Sequence, residues 1–120
     1  MPRLTRPELI DLCENRYFGN VVREKLDAVL DCFTPDTVVV IRHGDNPERR
    51  FYGTPKAGEL HISEFWKHLN GNFLAGFEDF DHYVDAEQQR IASTFIVTLA
   101  PKASSPYVGL GTLTLKNCNF

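Results

Sequence analysis

Residues Arg90 to Ala100 alternate strictly enough to constrain everything around them. Ile91, Ser93, Phe95, Val97 and Leu99 share one face of an extended segment. A strand of that length with one apolar face needs a second layer to cover it. The first half of the chain supplies one. Leu26, Val29, Leu30 and Phe33 follow i, i+3, i+4, i+7 spacing, with Arg23, Glu24, Asp27 and Asp31 on the other faces. Upstream, Thr5-Arg6-Pro7-Glu8 reads as a capping box, and Pro7 is tolerated in a first turn. Leu9, Ile10, Cys13 and Tyr17 then form a helical stripe, which Gly19-Asn20 is expected to end.

Thr37 to Arg42 is a β-branched run of strand length, and His43 to Pro47 is turn chemistry. A short strand from Arg50 to Gly53 should pair back. A third helix is expected over about Gly58 to Asn70, with Ile62, Phe65, Trp66 and Leu69 as its apolar face and Gly71 as a stop. Strands are expected over Phe77 to Val84, Arg90 to Ala100 and Tyr107 to Phe120, joined by a turn at Asp85 to Gln89 and a loop at Pro101 to Pro106. Helices first and an antiparallel meander after them indicate an α+β fold, with the helices on one face of a curved sheet.

At 120 residues this is one domain. Thirteen basic against sixteen acidic residues give a net charge of −3, which argues against a dedicated nucleic-acid binder. No apolar run approaches the roughly 18 residues that span a membrane. The first twelve residues carry charges throughout and do not read as a signal peptide. Cys13, Cys32 and Cys118 lack CxxC spacing, so free thiols in a reducing, cytoplasmic setting are expected. No GxGxxG, Walker, GxSxG or SxxK pattern is present, so nucleotide-cofactor and serine-hydrolase chemistry has no support.

The order of these elements resembles the nuclear transport factor 2-like superfamily, in particular its SnoaL-like, ketosteroid-isomerase-like branch. The residues that carry the likeness are Arg16-Tyr17-Phe18, Leu26 to Leu30 running into Cys32 to Val39, Phe51-Tyr52-Gly53, Val84 to Glu87, and Asn117 to Phe120. The resemblance implies a cone-shaped α+β roll with an apolar pocket between helices and sheet. It also implies a homodimer and a cofactor-free isomerase, cyclase or dehydratase acting on a small apolar carbonyl compound. The alternative is a non-catalytic ligand-binding or dimerisation module of the same fold. Members of the family usually continue through one more strand, which these 120 residues are expected to lack. The steroid isomerases place a catalytic aspartate near the end of the first long strand. Here that place falls on or beside Ile41, which cannot take a proton.

The candidate catalytic residues are Tyr17 and His43. The resemblance gives Tyr17 the role of hydrogen-bond donor to a developing oxyanion; otherwise it is a core tyrosine. His43 follows Ile41 by two and shares its strand face, where it would serve as acid or base at the pocket mouth. Otherwise it is a solvated turn residue. Trp66, Phe77 and Phe95 are candidate ligand-binding residues from an aromatic-rich interior, which an ordinary core would equally contain. Asn119, with Asn117, would present an amide to a ligand carbonyl or lie at an exposed strand end. His61, Glu64 and His68 share a helix face, yet one opposite the apolar stripe, so no metal is expected there. Asp79 and Asp81 read as two carboxylates on one strand face, and Asp81 and His82 as neighbours on opposite faces. Ile91, Phe95, Val97, Leu113 and Leu115 are more apolar surface than three short helices cover, so a two-fold dimer of sheet against sheet is expected.

Overall fold

Thr5 starts the first helix as anticipated. Its hydroxyl accepts from the Glu8 amide, and Glu8 Oε1 accepts from the Thr5 amide at 3.0 Å. The computed structural model describes residues 3–42 and 44–120. His43, the expected acid–base residue, lies outside the described residues.

The helix runs as α1 (Arg6–Asp11), a π-helical turn (Leu12–Phe18) and α2 (Gly19–Val22). Gly19-Asn20 does not end it. Gly19 keeps helical angles, and the Asn20 amide donates back to the Arg16 carbonyl at 2.8 Å instead of capping. The end comes at Arg23, whose guanidinium donates to the Asn15 carbonyl at 2.9 Å. The next helix, α3 (Leu26–Leu30), is shorter than its apolar spacing suggests. Cys32 and Phe33 close instead through i→i+3 bonds to the Val29 and Leu30 carbonyls.

Strand β1 (Val38–Ile41) pairs antiparallel with β2 (Arg49–Tyr52), and β2 pairs parallel with the two-residue β3 (Leu60–His61). Helix α4 (Ile62–Asn72) begins later than expected because His61 caps it. Gly71 does not stop it; the chain passes into β4 (Phe73–Asp85) directly after Asn72. β4 pairs with β5 (Arg90–Pro101), and β5 with β6 (Leu113–Asn119), both antiparallel. β6 starts six residues later than read from the sequence, behind a 3₁₀ turn (Val108–Leu110) and Gly111 at φ 70°. The α+β class therefore holds, but the single curved sheet does not. Among the described residues the strands form two three-stranded sheets, β1-β2-β3 and β4-β5-β6.

A bulge between Glu78 and Asp81 sets the faces of β4. Asp79 sits in it with φ 56°. Before the bulge Phe73, Ala75 and Phe77 oppose Pro101, Leu99 and Val97; after it His82 and Val84 oppose Ser93 and Ile91. One extra residue thus moves the inward face from odd to even numbers. Asp79 and Asp81 do not continue the Phe77 face, and both are exposed.

The core has two centres. Val21, Val29, Phe51, Ile62 and Trp66 form one; Cys13, Phe18, Phe95 and Val97 form the other. Tyr17 and Phe77 pack against both. Phe95 and Val97, expected to need a partner sheet, are already covered by the π turn of their own chain. Burying a Val or Ile side chain contributes about 1.5–3 kcal/mol, and Val21, Val29 and Ile62 are all essentially closed to solvent.

Clasps hold the first helix at both ends. The Leu4 amide donates to Gln89 Oε1 at 2.8 Å, and Gln89 donates back to the Leu4 carbonyl at 2.9 Å. At the other end Lys102 Nζ meets Glu24 and donates to the Asn70 carbonyl at 2.6 Å.

Two outcomes follow from these contacts. A Cβ on Gly53 would lie 2.7 Å from the Pro35 carbonyl oxygen and 2.8 Å from that of Thr34. Gly53→Ala should therefore cost about 1–3 kcal/mol in a denaturant melt; an unchanged midpoint would contradict this packing. The two bonds from Thr5 hold the Glu8 carboxyl below the ordinary carboxylate range. A lowered value in the folded state favours folding above the ordinary range and loses that contribution as the pH falls through the lowered value. NMR titration should place the Glu8 midpoint below that of a free glutamate, and Thr5→Ala should return it only in part, because the amide of residue 5 still donates to the carboxylate.

Candidate functional site

Tyr17 enters the interior from the π turn and meets two aromatic edges. Its ring lies 5.5 Å from Phe33 at 87° and 5.5 Å from Trp66 at 89°. Burial, then the neighbouring Cys32 and Cys13, push its phenol well above the usual range. It is therefore a donor at neutral pH and not a base. Among the described residues no group takes its hydrogen bond.

Trp66 is 5% exposed, and its indole Nε1 is buried with no partner among the described residues. One turn on, the Asn70 amide donates to the Val21 carbonyl at 3.0 Å, while its Oδ1 is also buried and unpartnered. Each such atom costs about 1–3 kcal/mol unless something meets it. Phe77 and Phe95 lie in the adjoining cluster, at 4.6 Å and 4.8 Å from the Phe18 ring. Tyr17, Trp66 and Phe77 are thus brought together, with Phe95 beyond Phe77. Asn119 lies apart from them on β6, directly across from Ser93. Surface depressions lie elsewhere on the described residues. One, of about 240 Å³, is lined by Pro35, Asp36, Thr37, Val38, Tyr52 and Thr54. Another, of about 400 Å³, is lined by Arg6, Pro7, Ile10, Asp11, Glu14 and Asn15. Neither reaches the aromatic residues expected to hold a ligand.

A second constellation was not read from the sequence. His82 is swung inward by the bulge, and its side chain is 8% exposed. His82 Nε2 lies 2.5 Å from Glu14 Oε2, and Nδ1 lies 2.7 Å from Ser93 Oγ. Ser93 Oγ lies 3.7 Å from the Cys13 thiol. An ionised carboxylate only accepts, so in the neutral ring Nε2 carries the hydrogen and donates to Glu14. Nδ1 then accepts from the Ser93 hydroxyl, which in turn accepts from Cys13. The Phe80 ring stacks on the imidazole at 5.4 Å and 16°. The sequence did hold the signal. Phe73, Ala75 and Phe77 give way to Phe80, His82 and Val84, a change of parity that only an inserted residue explains.

This order of carboxylate, imidazole and hydroxyl is that of a nucleophilic triad, but Ser93 is 1% exposed. Its oxygen is closed to a substrate, so the outward end of the chain is Glu14, whose side chain is 35% exposed.

Of the His61, Glu64 and His68 face, His61 and Glu64 are committed to the cap of α4. His61 Nδ1 accepts from the Ser63 amide at 3.0 Å, and Glu64 Oε2 accepts from the His61 amide at 2.7 Å. The Asn72 amide donates to the His68 carbonyl at 2.8 Å. Among the described residues no group of three or more His, Cys, Asp or Glu side chains is placed to hold a metal ion. Among the described residues no helix is long and apolar enough to cross a membrane. In comparisons with known proteins, no family model matches the chain, and neither a curated protein nor a solved structure matches it significantly.

The three thiols should separate by access. Cys118 is exposed, Cys32 is half-buried and Cys13 is buried. Burial raises the pKa of both Cys32 and Cys13, and only thiolate reacts. Alkylation of the native protein followed by mass spectrometry should modify Cys118 first and Cys13 last. Cys13 reacting as fast as Cys118 would contradict its place behind Ser93.

Proposed function

We propose that the chain is a small-molecule-binding domain with the nuclear transport factor 2-like fold of the SnoaL-like, ketosteroid-isomerase-like branch. Its ligand in this reading is a small apolar carbonyl compound, taken up between α4 and the π turn without a cofactor. The observation that carries the reading is the Trp66 indole N–H, buried without a partner beside Tyr17. A ligand carbonyl oxygen would satisfy that donor, and the protonated Tyr17 phenol would add a second. Two donors on one oxygen favour the oxyanion that forms when a proton is moved next to a carbonyl. Isomerisation, cyclisation and dehydration all pass through such a charge. Phe77, Phe95 and the other rings would supply the apolar surround. A non-catalytic module of the same fold is the second reading. It is favoured by the edge-on packing of Phe33 and Trp66 against Tyr17, which fills the space between the layers with the chain's own side chains.

Trp66 is the only tryptophan in the chain, so its fluorescence reports on this place alone. Titration with a flat cyclic enone should change the emission and raise the melting temperature. The hydrocarbon of the same shape should bind more weakly. Tyr17→Phe should weaken the enone about two- to tenfold, the worth of one hydrogen bond. Equal responses to enone and hydrocarbon, unchanged in Tyr17→Phe, would leave the second reading.

A further inference from the structure

We propose that Glu14 is a general base, backed by His82 and Ser93, that serves the groove beside the first helix. The substrates that fit it are small neutral carbon acids whose conjugate base places its charge on oxygen. The site is separate from the interior around Trp66, and the proposal does not depend on the ligand assigned there.

The argument starts from asymmetry. The chain Ser93–His82–Glu14 is closed at its inner end and open at its outer one. Glu14 uses Oε2 for His82, while Oε1 has no hydrogen bond among the described residues. Glu14 also lines the groove of about 400 Å³. The groove pairs a guanidinium from Arg6 with apolar surface from Pro7 and Ile10. Asp11, the other carboxylate there, accepts from the Asn15 amide at 2.7 Å, and Arg6 makes no ion pair among the described residues. One base and one cation therefore face the same space without partners in it.

A structural tether would need less. Replacing a buried polar pair by apolar side chains of similar volume is often neutral or stabilising, and this end of the sheet is otherwise lined by Phe80, Ile91 and Phe95. The Ser93 hydroxyl adds a function that a tether does not require. In the neutral ring the hydroxyl donates to Nδ1 and leaves the hydrogen on Nε2, facing the Glu14 carboxylate. His82 and Ser93 are thus positioning residues, and Glu14 alone meets the substrate. In the forward step the carbon-bound proton passes to Glu14 Oε1. The C–H electron pair moves into the substrate and leaves its negative charge on an oxygen near Arg6. The protonated Glu14 then returns the proton to the substrate or to water.

The probe is 5-nitrobenzisoxazole, which needs only a positioned base. Its C3 proton goes to Glu14, the C–H pair completes a carbon–nitrogen triple bond, and the N–O bond breaks. The product is 2-cyano-4-nitrophenolate, which is coloured. The wild-type chain should turn it over, and Glu14→Gln should lower kcat about 10²-fold, the usual worth of such a base. Ser93→Ala should lower kcat with KM unchanged, and ring ¹⁵N shifts should show His82 losing its single Nε2–H tautomer. Glu87→Gln, an exposed acid at the hairpin turn, serves as the control and should change nothing. Glu14→Gln working at the wild-type rate, with its fold intact by circular dichroism, would overturn the proposal. So would Ser93→Ala leaving both kcat and the His82 tautomer as they are.

Discussion

The molecule depends on a match between two insertions. The first helix takes in an extra residue per turn over Leu12–Phe18, and β4 takes in one between Glu78 and Asp81. Either alone would put side chains out of step with the opposite layer. Together they bring Cys13, Tyr17 and Phe18 over Phe77, Phe95 and Val97, and carry Glu14 to His82. Irregular turns of both kinds concentrate at functional sites. Here the irregularity is what makes a polar contact between helix and sheet geometrically available.

The same match divides the interior chemically. Towards α4 the space is aromatic, with the Trp66 and Asn70 polar atoms stranded in it. Towards the hairpin it is a hydrogen-bonded chain in which His82 and Ser93 each have their partners. Tyr17 and Glu14 sit three residues apart on one π turn and point to these two different ends. A shift of that turn would disturb both, so the binding and acid–base properties of the chain are mechanically tied even where they act on separate ligands.

Local chemistry was legible in the residues, and long-range registration was not. Thr5 and Glu8 announce their own cap because the contact spans three residues. His61 and Glu64 use the same geometry, but a histidine at the cap is outside the usual Ser, Thr, Asp and Asn set, so the pair read only as part of a polar helix face. Gly19-Asn20 resembles a stop, yet Asn20 spends its amide on Arg16 and the turn continues. The α+β order could be read from periodicity. The division into two sheets could not, because which strand edges meet is decided by the packing of the layers. His82 was missed because alternation was carried through Asp79, where the backbone leaves the strand region. Burial holds the Tyr17 phenol protonated, a property that its place on a helical stripe did not reveal.

The clasps on the first helix have a consequence for how the chain comes into being. Leu4 is joined to Gln89 across 85 residues, Glu14 to His82 across 68, and Glu24 to Lys102 across 78. At about 5–20 residues per second of synthesis, the helix emerges some 3–17 s before its partners. During that interval its apolar stripe, Leu9, Cys13 and Phe18, has no sheet to lie on. This helix is made before the strands that secure it, and a growing chain must shield it until the hairpin arrives.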